Sequence, residues 1–188
     1  MARTKAIAWS VAVVGGLTLA TTGGAKVLLT ADEALALAFP GCAVERATIY
    51  LTERELAAAN ELAGSALGSA VVHPYRARQG ERRCGTAYFD THRVRTLAET
   101  VMVALDAVGK RARVEVLSFD EPLDYLPRGS WYERFAGRPL DDRLAPGRDL
   151  PPVTGATLTV RATTDAARRA LAVHQVLAER AADEGATP

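Results

Sequence analysis

Residues 99–119 read ETVMVALDAVGKRARVEVLSF, and the reading of this stretch decides the fold. Val101, Val103 and Leu105 recur at every second position on one arm, and Val114 and Val116 do so on the other. Between them lies the polar, glycine-bearing DAVGK (106–110). An apolar side chain at alternate positions turns one face of an extended strand toward a core, and a glycine in the connection supplies the backbone freedom a tight turn needs. The stretch therefore reads as a β-hairpin. Upstream, SAVVHPYRAR (69–78) and RRCGTAYFDTH (82–92) are two further strand-like runs separated by the polar turn QGE. VERATIYLT (44–52) shows a less regular strand pattern through Val44, Ala47, Ile49 and Leu51.

Helices are grouped around these strands. TADEALALAFPG (30–41) begins at a capping Thr30, carries Asp32 and Glu33 in its first turn and stops at Pro40-Gly41. Thr52 and Glu55 make a capping box for ERELAAANELAG, which Gly64 ends. The segment 120–157 holds six prolines and four glycines, so it reads as loop with one short helix, GSWYERFAG. A final helix is expected from about Thr163 to Ala182, with Ala167, Ala170, Leu171, His174 and Leu177 on one face. Hairpins with flanking helices, without β-α alternation, predict an α+β fold: an antiparallel sheet followed by a C-terminal helix.

Composition narrows the function. Hydrophobic residues make up 48% of the 188 and charged residues 24%, as expected of one globular domain. The 23 basic and 22 acidic residues nearly cancel, and aromatics are only 6%, so neither a charge field nor stacking platforms point to nucleic acid. At the N-terminus Arg3 and Lys5 precede an uncharged run from Ala6 to Ala25. Basic residues, an apolar stretch and the small-residue site Gly23-Gly24-Ala25 read as a signal peptide over 1–25, with a retained membrane anchor as the alternative. Either way residues 26–188 form the exported domain. Export lets Cys42 and Cys84 pair, which is the expected state; two separately buried thiols are the alternative.

Common catalytic patterns are missing. Ser130 lies in RGSWY, outside any G-x-S-x-G turn, and no glycine-rich nucleotide loop occurs. His73, His92 and His174 lack metal-site spacing. Asp90 and His92 share one side of a strand and read as a surface polar pair; His174 reads as a satisfied, partly buried residue. Asp120-Glu121 and Asp141-Asp142 read as solvated loop charges.

What is left is PPVTGATLTVRATT (151–164), with five threonines before and within the expected helix start. Gly155 and Ala156 would let backbone approach a ligand, and a helix start attracts phosphate. VTGATLT resembles the S/T-G-A-T-x-T/S signature of the FMN-binding domain family. That family includes the periplasmic flavoprotein subunits of the sodium-translocating NADH:quinone reductase and of the Rnf electron-transport complex. GTAYFDTH, VEVLSFDEPLDYLP and SWYERFAGRPLDD follow the family's order over most of the mature chain. The resemblance implies FMN joined by a phosphodiester bond to Thr157, placed there by a separate flavin transferase that uses FAD. It also implies that Thr154, Gly155, Ala156 and Thr159 shape the phosphate end, with Glu121 and Tyr125 as further flavin contacts. The protein would then be an electron carrier rather than a stand-alone enzyme. It would sit in the periplasm or another extracytoplasmic space, anchored or free, and meet a membrane or periplasmic redox partner. One position departs from the family: Pro151 stands where the transferase's target pattern has aspartate, with Asp149 two residues further out. Reversible FMN binding and a flavin-free sensing or scaffold domain therefore stay open.

Overall fold

The computed structural model describes residues 26–110 and 112–185, so the expected leader, residues 1–25, lies outside the described residues. Among them no helix is long and apolar enough to cross a membrane. The centre is the predicted hairpin. Strand β7 (Ala98–Asp106) pairs antiparallel with β8 (Ala112–Phe119), and Val103 faces Val114 across the ladder. The turn closes because Asp106 Oδ1 accepts from the Val108 and Lys110 amides, at 3.1 and 3.0 Å, while Gly109 takes φ 73°. A side chain other than glycine rarely adopts that conformation.

Strand β6 (Arg82–Arg93) pairs with the other edge of β7, and β5 (Tyr75–Gln79) pairs with β6. The short β1 (Lys26–Val27) lies against β8, and β2 (Ala43–Arg46) against β5. The result is one antiparallel sheet in the order β1-β8-β7-β6-β5-β2. Two expected strands are divided. VERATIYLT splits into β2 and β3 (Ile49–Tyr50), and SAVVHPYRAR splits into β4 (Val71–Val72) and β5. Pro74 explains the second break: it has no N–H for a ladder, and its carbonyl accepts from Ala47 instead. β3 and β4 form a separate two-stranded sheet.

Helix α1 (Ala31–Ala38) covers one face of the large sheet, with Ala34, Leu35 and Phe39 packed on Ala77, Ala87, Met102 and Leu117. The predicted capping box forms at Thr52–Glu55 of helix α2 (Glu53–Ala63), and the predicted cap Thr30 makes a second box with Glu33. Gly64 ends α2 in the left-handed conformation, as its sequence suggests. The other face meets helix α4 (Thr157–Gly185), the short helix α3 (Gly129–Tyr132) and the loop after it. Trp131, Tyr132, Phe135, Leu144 and Leu150 fill the space against Val101, Val103 and Leu105. Helix α2 packs on α4 through Ala59, Ala63, Ala172 and Val176. Arg168 of α4 donates to the carbonyls of Leu62 and Ala63, so a neighbouring helix supplies the basic cap that α2 lacks. Glu55 and Arg180 pair across the same two helices, and this bond is the main reason the Glu55 carboxyl is lowered to about 2.

Cys42 and Cys84 are joined in a disulfide. It ties the approach to β2 to β6 on the α1 face of the sheet.

Candidate functional site

The start of α4 differs from expectation. The helix begins at Thr157, six residues before Thr163, and runs for 29 residues to Gly185. Gly155 turns the chain with φ 85°, the Ala156 amide donates to the Val153 carbonyl, and the Ala156 carbonyl then accepts the first helical bond from Val160. That turn starts the helix at once. Thr163 and Thr164, which stand at the expected helix start, are buried within it. Thr164 Oγ1 donates to the carbonyl of Val160 one turn back, and Thr163 Oγ1 donates to Glu99 Oε2 at 2.9 Å. Threonine tolerates a helix interior when its hydroxyl finds such a partner.

The other threonines divide in the same manner. Thr154 and Thr157 are exposed, whereas Thr159 is wholly buried. The Thr159 hydroxyl donates to the Tyr125 carbonyl at 2.6 Å, so it clamps the helix to the short turn Leu123–Tyr125. Ala156 is buried against the core, and a Cβ on Gly155 would meet nothing within 4 Å. The glycine is needed for its backbone angle and leaves open space over the turn.

Glu121 and Tyr125 come to the same end of the molecule. Glu121 is not a solvated loop charge: its Oε1 accepts from the amides of Thr96 and Leu97, at 2.8 and 2.9 Å, and from the Thr96 hydroxyl. Those backbone bonds hold its carboxyl below the usual range. The carboxylate fixes the connection between β6 and β7. From that connection Arg95 lies over the Tyr125 ring, 5.2 Å from its centre. A cleft of about 210 Å³ lies between this connection and the first turns of α4. Arg93, Leu158, Arg161 and Arg169 line it, with His92 at its inner end.

Behind the cleft is a network that the sequence reading missed. Asp90, His92 and Glu99 point from β6 and β7 toward α4. His92 donates from Nδ1 to Asp90 at 2.9 Å and from Nε2 to Glu99 at 2.8 Å. Arg169 reaches Asp90 with two nitrogens, at 2.8 and 2.7 Å. Burial pulls the His92 pKa down, but the bonds to the two carboxylates more than reverse this and raise it to about 9. Burial raises Asp90, and bonds from His92 and Arg169 then overcome that effect and lower it to about 2. The expected surface pair is thus a largely buried charged cluster. The i+2 spacing correctly put both groups on one face, but only the approach of α4 decides that this face is covered.

Two polar atoms near the network have no hydrogen-bond partner among the described residues: Glu99 Oε1 and Tyr132 Oη. Tyr132 also lines the larger cleft of about 660 Å³, together with Val114, Val116, Leu126 and Pro127. That cleft opens beside the turn which Thr159 holds. Asp149 is engaged elsewhere: Arg138 and Arg143 bind its two oxygens. Pro151 offers only its carbonyl, which accepts from Trp131 Nε1 at 3.0 Å. His174, expected as a satisfied residue, has Nδ1 3.0 Å from the Tyr88 hydroxyl.

Compared with known protein families, with curated proteins and with solved structures, the chain matches none.

Proposed function

We propose that the chain is an exported flavoprotein module that carries FMN at the start of α4 and relays electrons between a membrane or periplasmic donor and an acceptor. One observation carries the reading. Thr157 is the exposed first residue of a long helix, directly after the positive-φ turn at Gly155, so its hydroxyl stands where helix amides favour a phosphate. Arg93 and Arg161 line the adjoining cleft and suit the same charge. The site's residues fit the rest of FMN as well. The larger cleft is mainly apolar and has the volume typical of a small-molecule site. Bound FMN would supply the one- and two-electron redox chemistry. The protein's part is to hold the phosphate at Thr157, Thr154 and Gly155 and to fix the surrounding walls through Thr159, Tyr125 and Glu121.

In the covalent form, Thr157 Oγ1 takes the FMN phosphate from FAD. A P–Oγ1 bond would form, the pyrophosphate bond would break, AMP would leave, and the Oγ1 proton would be released to solvent. A flavin transferase supplies both FAD binding and catalysis. Pro151 favours a second reading, in which FMN binds reversibly or the domain carries none. The proline has no carboxylate for the transferase's pattern, and Asp149 is held by two arginines. Intact mass and in-gel flavin fluorescence of the wild type and Thr157→Ala, each coexpressed with a transferase, separate these outcomes. An adduct lost only in the variant is the expected result. Flavin released on denaturation supports reversible binding, and absence of flavin from both proteins ends the flavin reading. Thr157 is exposed at a helix end, so the substitution should change stability by no more than about 0.5 kcal/mol.

A further inference from the structure

Three arginines converge on a groove near the far end of α4, and no acidic side chain pairs with them among the described residues. Arg76 and Arg78 stand two residues apart on β5, hence on one face of the sheet. Across the ladder Arg76 faces Thr86 and Arg78 faces Arg83. Arg83 joins them because of a bulge. Ala77 pairs with Gly85 and Arg78 with Arg83, so Cys84 is the extra residue in β6. Cys84 turns to the α1 face, where its bond to Cys42 holds it among the apolar residues of that core. Arg83 is thereby redirected to the opposite face, where its guanidinium lies 3.3 Å from Thr86 Oγ1. The resulting groove, about 270 Å³, is also lined by Tyr88 and His174.

Among the described residues, no ion pair neutralises these charges. Glu45 faces Arg76 across the β2–β5 ladder, but the two form no ion pair. Tyr88 and His174 meet as hydroxyl and imidazole, and burial followed by the field of Arg83 lowers the histidine to about 4, so at neutral pH it is uncharged. Asp106 opposes that shift only weakly and is occupied in capping its own turn. The carbonyl end of α4 offers at most a partial charge. Three like charges held together by a bulge and a disulfide leave a strong interaction unused, and guanidinium groups match the oxygens of a phosphate in pairs.

We propose that the Arg76–Arg78–Arg83 groove is a binding site for a phosphate group, carried either by a small soluble molecule or by a lipid headgroup. On α4 it is lined from His174 to Ala181, more than four helical turns beyond Thr157, and it does not depend on whether the chain carries flavin.

The test uses the full chain expressed without a flavin transferase. Inorganic phosphate is titrated calorimetrically at constant ionic strength into the wild type, Arg76→Gln/Arg78→Gln, Arg83→Gln and the control Arg134→Gln, whose side chain is exposed elsewhere. Saturable binding is expected, at least tenfold weaker in both groove variants and unchanged in the control. Thermal melts confirm that the variants, altered at exposed positions, remain folded. Cosedimentation with phosphatidylcholine vesicles, with and without phosphatidic acid, separates the two sources. Capture by phosphatidic acid that the groove variants lose assigns a headgroup; phosphate binding without capture assigns a soluble ligand. No saturable phosphate binding, or binding that the groove variants retain, overturns the proposal.

Discussion

On its α1 face the sheet meets Ala34, Leu35 and Phe39 through alanine, methionine and leucine, and one covalent bond ties the approach to edge strand β2 to the interior strand β6. On its α4 face the contact includes the buried Glu99 and Thr163 and the partly buried His92, Asp90 and Arg169. The first face is stabilised by area removed from water and by a shorter unfolded loop, contributions that act nearly independently. The second depends on charges that are tolerable only together, because each removed partner leaves another charge buried without compensation. Apolar packing positions helix α1, whereas ionic contacts also fix the rotation of α4 and therefore the direction in which Thr157 points.

The largest effect is expected at the covalent link. Its two cysteines are 42 residues apart, and a closed loop of that size contributes roughly 4 kcal/mol in the chain-entropy account. Cys42→Ser/Cys84→Ser should lose about that much in denaturant unfolding, and reductant should bring the wild type down to the same midpoint. A loss below about 1 kcal/mol would mean that the α1 face stands on packing alone. Next comes the ionic face. Glu99→Ala should cost about 3 kcal/mol, since it strips partners from His92 and from the Thr163 hydroxyl in a buried position. Combined with His92→Ala, the loss should fall short of the sum by about 1 kcal/mol or more. Additive losses would erase the contrast between the faces.

Sequence legibility follows the same division. Alternation in the 99–119 hairpin, the Thr30 cap, the Thr52–Glu55 capping box and Gly64 were readable because each is a local rule that a few neighbouring residues satisfy. The start of α4 was misplaced because Thr163 and Thr164 have the composition of caps, while the actual start rests on the backbone turn at Gly155. Of the candidate site, Thr154, Gly155 and Thr157 are exposed together at the start of α4. Thr159 and Glu121 serve backbone groups 34 and 25 residues away in the chain, which no spacing rule reveals. The His92 network needed three distant segments to meet. A signal did exist in the Asp90/His92 spacing, but burial of that face is a tertiary fact.

Proton linkage offers the gentlest way to set the two kinds of buried histidine against each other. His92 is raised to about 9 in the fold against about 6.5 unfolded. Its contribution is therefore complete below about pH 6.5 and is lost as pH climbs through 9. His174, lowered to about 4, behaves oppositely: the unfolded chain takes up its proton first, so stability falls as pH drops from about 6.5 toward 4. Asp90, lowered to about 2, adds a further loss only below about pH 3.8. Together these groups place the maximum stability near pH 6.5, with one histidine responsible for each flank. Unfolding midpoints measured from pH 4 to 9 should show that peak. His92→Gln should flatten the alkaline flank and leave the acid one, and His174→Gln should do the reverse. If His92→Gln changes both flanks equally, the charged network is not an independent unit, and the distinction drawn between the two faces fails with it.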